Sequence, residues 1–185
     1  RGSGLKGLTS LEKNTTIDSI NLIRPLLDFN KKDLIFISNY VFNFFVKDIS
    51  NENINYKRIK VRKIINKFKD SGFEKDKLFL TIKNLKTSNS ALKFYTEQNK
   101  KFNSFLDKKN RRLILNDNFF RQPYEVVHRS LSDSLTVISG KYFPARGKKI
   151  DNILQKLNKN SLKKETLAGC VIKKVNQTVI ILKEY

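Results

Sequence analysis

The sequence predicts a helix-dominated protein of mixed α/β and α+β class, and three observations carry that expectation. Apolar residues recur at helical spacing through most of the chain, as at Val127, Leu131, Leu135 and Ile138. Strand-like segments are short, the clearest being 166–174 and 178–184, which flank a turn near Asn176. Apolar residues make up 39% of the chain, with 14 Phe, which is enough to bury a core.

Taken in order, the glycines at positions 2, 4 and 7 make a loop whose backbone N–H groups could approach a phosphate. Ile23-Arg24-Pro25-Leu26-Leu27 reads as a short strand, with Pro25 keeping Arg24 out of the helical region. Asn30 is placed to cap a helix over 31–43, whose all-round apolar content predicts deep burial. A second helix over 56–69 points Val61, Ile64, Ile65 and Phe68 inward, and Gly72 follows its end. A long helix over 74–106 carries Leu78, Ile82, Leu85 and Leu92, with a break near 87–90. Segment 111–122 reads as two strands around Asn116-Asp117-Asn118. Two further helices follow over 124–139 and 146–158, the second burying Ile150, Ile153, Leu154 and Leu157.

The formal net charge of +21 favours polyanionic partners, with nucleic acid first among them. Lys outnumbers Arg by 29 to 9, so the arginines mark positions where a planar two-bond fork serves and an ammonium does not. Segment 48–62 concentrates that chemistry. An acidic, amide-rich bend containing Asn51 leads into a helix with Arg58 and Arg62 four residues apart on one face. Both guanidinium groups can then grip phosphates or carboxylates from one side.

Other chemistries are excluded or weak. Cys170 is the one cysteine and His128 the one histidine, so neither a disulfide nor a Cys/His metal cluster is available, and a reducing compartment fits. Cys170 reads as core packing, and His128 as a surface or capping residue. The carboxylate pairs Asp28/Asp33 and Asp48/Glu52 read as helix-start and turn chemistry. There is no Walker loop, no Rossmann fingerprint and no membrane-length apolar run. These residues alone describe a binding module that lacks a complete catalytic set.

Several blocks, in order, resemble the tRNA(Ile)-lysidine synthases. RGSGLKGLTSL at 1–11 is similar to the family's RGSG-x-x-GL segment, and IRPLL at 23–27 to the segment after it. Asp48-x-Ser50-Asn51 with Tyr56, Arg58 and Arg62 matches the family's next block, and Ile59 departs from the Arg-Asn pattern common there. His128-Arg129-x-Leu131 and Thr166-Leu167-Ala168-Gly169-Cys170 resemble C-terminal features of its α-proteobacterial branch. The chain begins at Arg1 and contains no Met, so it is expected to be a fragment. The family's S-G-G-x-D-S loop is expected upstream.

The resemblance implies a layout. Residues 1–70 would form the C-terminal edge of an α/β adenine-nucleotide hydrolase-like domain, 71–110 a helical linker, and 111–185 a small α+β tRNA-binding domain. It also implies a reaction in which ATP, with Mg2+, adenylates C2 of the first anticodon cytidine of tRNA(Ile). Free lysine then displaces AMP through its amino group, forming lysidine. A carbonyl oxygen leaves poorly until it carries AMP, and the amine must be unprotonated to attack. By this resemblance Arg1, Gly2, Ser3 and Gly4 line the nucleotide side, and Arg24 sits at the cleft rim. Asn51, Arg58 and Arg62 orient phosphates, lysine or the tRNA backbone, and Lys57, Lys60, Lys63, Arg111, Arg112 and Arg121 are further tRNA contacts. The expected location is cytoplasmic, with a homodimer allowed. A free-standing RNA-binding module or a basic scaffold protein is the alternative.

Overall fold

The structure is a computed structural model that describes residues 4–9, 12–17, 20–48, 55–69 and 72–184. It divides into two compact units, Arg1–Lys86 and Thr87–Tyr185.

In the first unit, α1 (Gly4–Thr9) precedes an antiparallel hairpin of β1 (Asn14–Ile17) and β2 (Ile20–Ile23), paired from Asn14↔Ile23 to Ile17↔Ile20. The expected strand through Leu27 stops at Ile23. Pro25 opens a 3-10 turn, Pro25–Asp28, because its preset φ and missing N–H suit a first helical position. Asn30 does precede α2 (Lys31–Phe42), although its side chain makes no capping bond, and Asn43 ends the helix in the left-handed region.

The deep burial expected of α2 is not found: none of its residues is buried, and Phe36, Ile37, Tyr40 and Val41 lie open. In α3 (Lys57–Lys69), of the expected inward residues, Val61, Ile64 and Phe68 are about half exposed and Ile65 is partly buried; Ile59 is buried. Periodicity identifies the face that wants cover; it does not supply the covering element, and no described residue of this unit does so.

α4 (Lys75–Asn103) is continuous, without the break expected near 87–90. The Ser90 hydroxyl folds back on the helix, donating to the Thr87 carbonyl (2.7 Å), and leaves the ladder intact. Its residues from Thr87 onward belong to the second unit.

The second unit is a five-stranded antiparallel sheet with helices on one face. The strands are β3 (Ser104–Asp107), β4 (Arg112–Leu115), β5 (Lys164–Leu167), β6 (Cys170–Val175) and β7 (Thr178–Lys183), in the order β3-β4-β7-β6-β5. Between them lie the one-turn helix α5 (Asp117–Phe120), α6 (Tyr124–Ser139) and α7 (Gly147–Asn158). The core joins Leu113, Leu115, Ile172 and Ile181 of the sheet to Phe119, Leu131, Leu135, Ile150 and Leu154 of the helices. The inward residues expected for the last two helices are buried apart from Ile138, which packs partly buried against the same core.

Two hairpins differ from the sequence reading. The strand pair expected around Asn116-Asp117-Asn118 lies earlier, at β3 and β4. The Asn116 side chain instead accepts from the Phe119 N–H (3.1 Å) and starts α5, as an N-cap does. The turn at 108–111 is organised by Asp107, whose carboxylate accepts from Asn110 and from Arg112. The expected long strand at 166–174 is broken by Ala168 (φ 56°) and Gly169 (φ 81°), both left-handed as a tight two-residue hairpin requires. That break makes β5 and β6 two strands. The expected domain boundary at 110/111 falls within the β3–β4 turn.

Candidate nucleic-acid interface

The cationic residues singled out in the sequence fall into three groups. The first surrounds the hairpin of the N-terminal unit. Arg1, Gly2, Ser3 and Asn51 lie outside the described residues, and Gly4 opens α1 with φ 59°. Arg24 is half-buried. Its Nη1 donates to the Glu12 carbonyl (3.1 Å) and the Thr15 hydroxyl (3.0 Å), and its backbone N–H donates to the Lys13 carbonyl (2.7 Å). One edge of the guanidinium, Nη1, therefore clamps the segment 12–15 through neutral acceptors.

The second group is α3. In KRIKVRKIINKFK, seven of 13 residues are Lys or Arg and no carboxylate is present. Arg58 with Arg62 and Lys63 with Lys67 are i,i+4 pairs of like charge, which destabilise an isolated helix until an anion neutralises them. Lys57 and Lys60 are exposed; the side chains of Arg58, Arg62 and Lys63 lie outside the described residues. The backbone places Arg58 and Arg62 on one face of a regular helix.

The third group is in the C-terminal unit. Arg111 occupies the β3–β4 turn with φ 49° and is exposed. Arg112 is paired with Asp107 (Nε to Oδ2, 2.9 Å), and Asn110, by bonding the same carboxylate, contributes most to holding Asp107 below its ordinary range. Arg121 pairs with Asp117 (2.6 Å) beside a cavity of about 330 Å³ lined by Asn116, Asn118, Gln177 and Thr178 as well. Of these three arginines, Arg111 is the one without an acidic partner among the described residues.

Sequence reasoning missed two polar arrangements. The Asp151 carboxylate of α7 accepts the Tyr124 hydroxyl (2.5 Å) and lies 3.3 Å from His128 Nε2, both on α6. The bond to Asp151, aided by desolvation, pushes the Tyr124 phenol up to about 12. Tyr124 and His128 are four apart, which was legible, but nothing local announces a carboxylate on another helix. Tyr124 thus ties α6 to α7, with His128 beside the same carboxylate.

The second arrangement centres on Asn99, whose amide donates to the Phe119 carbonyl and to Ser130 Oγ, each at 3.2 Å, and accepts from Asn103. Cys170 is buried, its thiol near the Leu135 carbonyl and raised in pKa by burial, as core packing requires. Among the described residues no group of three or more His, Cys, Asp or Glu could hold a metal ion, and no helix is long and apolar enough to cross a membrane.

Comparison with known proteins gives these cationic groups a context. Residues 1–68 match the PP-loop domain family, so the N-terminal unit contains PP-loop domain sequence. The relatives narrow that class. The chain is 29% identical over its whole length to a tRNA(Ile)-lysidine synthase of Wolbachia sp. subsp. Brugia malayi, and 27% identical over its whole length to that of Wolbachia pipientis wMel. It is 49% identical over 67 residues, 35% of the chain, to that of Prochlorococcus marinus, covering 20% of that protein. Each of these relatives is a tRNA(Ile)-lysidine synthase, and the chain is similar to the two Wolbachia proteins along its whole length. It spans 43% of the length of each Wolbachia relative.

Proposed function

We propose that this chain is the tRNA-gripping part of a lysidine-forming ligase, working beside an ATP site of the PP-loop type. The observation that carries the reading is α3, a helix of seven cations and no carboxylate that lies, apart from Lys69, inside the segment that matches the PP-loop domain. A helix so charged gains most from a polyanion, and the phosphate backbone of a tRNA supplies one. The whole-length similarity to synthases favours this over a free-standing RNA-binding module.

In this reading ATP activates C2 of the anticodon wobble cytidine of tRNA(Ile), and lysine replaces AMP. The chain's own residues hold and orient RNA. Arg58 and Arg62 serve the phosphates or the carboxylate of lysine, Asn51 supplies an amide, and Lys57, Lys60, Lys63 and Arg111 add further charge. Arg24 fixes the hairpin that follows the nucleotide-side segment. Arg112 and Arg121, already paired with aspartates, contribute to RNA contact only if those pairs open. The S-G-G-x-D-S loop is absent from these 185 residues, and no described cluster fits Mg2+, so no step through the metal is assigned to them.

The test supplies the chain with the portion of a Wolbachia relative that the alignment leaves uncovered, and follows labelled lysine into a tRNA(Ile) transcript. Lysine incorporation that requires ATP and both parts is expected, with none from the 185 residues alone. An assembled, tRNA-binding hybrid that releases no AMP would refute the ligase reading.

A further inference from the structure

We propose that the segment 141–149, which runs from the end of α6 into the first turn of α7, is a docking platform for unpaired RNA. Bases stack on Tyr142 and Phe143, and phosphates are held by Lys141, Arg146, Lys148 and Lys149. The choice of RNA rests on the tRNA reading above.

The aromatic pair is the first observation. Tyr142 is 64% exposed and Phe143 77%, with ring centroids 4.9 Å apart and planes at 87°. Neither side chain belongs to the core, against which the nearby Ile138 and Ala145 pack partly buried. In an edge-to-face pair the ring that offers its edge keeps both faces open, so a flat π-system can still stack on it.

Charge is the second. No Asp or Glu occurs anywhere in 134–150. Arg146, Lys148 and Lys149 are exposed, with no ion pair or side-chain hydrogen bond among the described residues. The flanking carboxylates are engaged elsewhere: Asp133 with Lys100 (3.1 Å), Asp151 with Tyr124 and His128. Lys141 lies over the β5–β6 turn, its Nζ 3.0 Å from where a Cβ on Gly169 would stand. The first turn of α7 carries no acidic residue, so its N–H groups add to the same positive potential.

Together these features favour single-stranded RNA over an apolar protein surface. A protein partner would have to desolvate four cations without neutralising them, whereas an RNA strand offers a phosphate to each cation and a base face to each ring. A duplex does not fit as well, because its bases already stack on one another.

The chain has no tryptophan, so Phe143→Trp gives a single fluorescent reporter on the platform. The full chain is titrated with a U-rich RNA of about eight nucleotides, a duplex of equal length, and a tRNA(Ile) transcript. Emission should be quenched by the single strand and the tRNA, and not by the duplex. Tyr142→Ala with Phe143→Ala should weaken single-strand binding about tenfold or more. Arg146→Gln, Lys148→Gln and Lys149→Gln together should flatten the log–log salt slope by about 2. All five positions are exposed, and far-ultraviolet circular dichroism checks that the fold is kept.

Anisotropy that reports RNA binding while emission stays constant overturns the platform and leaves the tRNA reading standing. Emission that changes with protein concentration alone makes the rings a self-association surface, and also overturns it. Quenching by the single strand without tRNA binding supports the platform and removes tRNA as its ligand. No binding to any of the RNAs overturns both.

Discussion

Replacing Asn99 with Ala should destabilise the Thr87–Tyr185 unit by about 3 kcal/mol. The amide is 3% exposed and works at both ends. Its Nδ2 reaches the Phe119 carbonyl and Ser130 Oγ, and its oxygen receives Asn103 Nδ2 at 2.9 Å. Each bond is worth about 0.5–1.5 kcal/mol net, and stranding a buried acceptor costs about 1–3 kcal/mol. Ser130 keeps its contact with the Thr96 carbonyl (3.4 Å), so the Phe119 carbonyl bears most of the loss. In urea unfolding followed by circular dichroism, a slope of about 2 kcal/mol/M converts this into a midpoint drop of about 1.5 M. A drop below about 0.25 M, or about 0.5 kcal/mol at that slope, would show that the network contributes nothing and would refute the reasoning.

Leu131, 0% exposed at the centre of the same unit, should cost about 2–5 kcal/mol as Leu131→Ala, while Val137→Ala on the open side of α6 should stay within about 0.5 kcal/mol. Urea midpoints of the two variants decide it. Because the Tyr124 phenol is pushed up to about 12, its bond to Asp151 contributes stability in full below the ordinary tyrosine value near 10 and loses it as pH rises through 12. A phenolate absorbance titration should find one tyrosine ionising near 12 and should lose that step in Tyr124→Phe, whose stability deficit should vanish over the same window. Gly140 ends α6 at φ 70° with open space around its missing Cβ, so Gly140→Ala should cost about 1–2 kcal/mol of left-handed strain and no clash; a thermal midpoint change much larger than that would contradict it.

The C-terminal unit was the legible half of the fold. Val127, Leu131 and Leu135 keep a helical period, Gly140 stops the helix, and the structure buries those residues and puts Gly140 in the left-handed region. The two mistaken hairpins trace to side chains with more than one use. Asn116 looks like a turn residue and serves as an N-cap, while Lys108, Lys109 and Arg111 look like a charge run and surround a tight turn ordered by Asp107. Ala168 in the left-handed region is costly, so a sequence reading continues the strand through it.

In the N-terminal unit the apolar periods of α2 and α3 were visible, yet which faces are covered depends on elements no local pattern names. The site divides in the same way. The cations of α3 are legible as composition and spacing, because like charges without carboxylates stand out. The engaged state of Arg24, Arg112 and Arg121 is not, since their partners are a carbonyl and a hydroxyl in the preceding segment and aspartates that the sequence reading did not single out as partners.

The account stands on the α3 cations gripping RNA phosphates. Binding of a tRNA(Ile) transcript to this chain, followed by anisotropy from about 50 to 200 mM salt, tests that directly. Affinity should fall by about a thousandfold across that range, with Arg62→Ala flattening the log–log slope by about 0.7–0.9. Binding that ignores salt, or a slope that Arg62→Ala leaves unaltered, would contradict it.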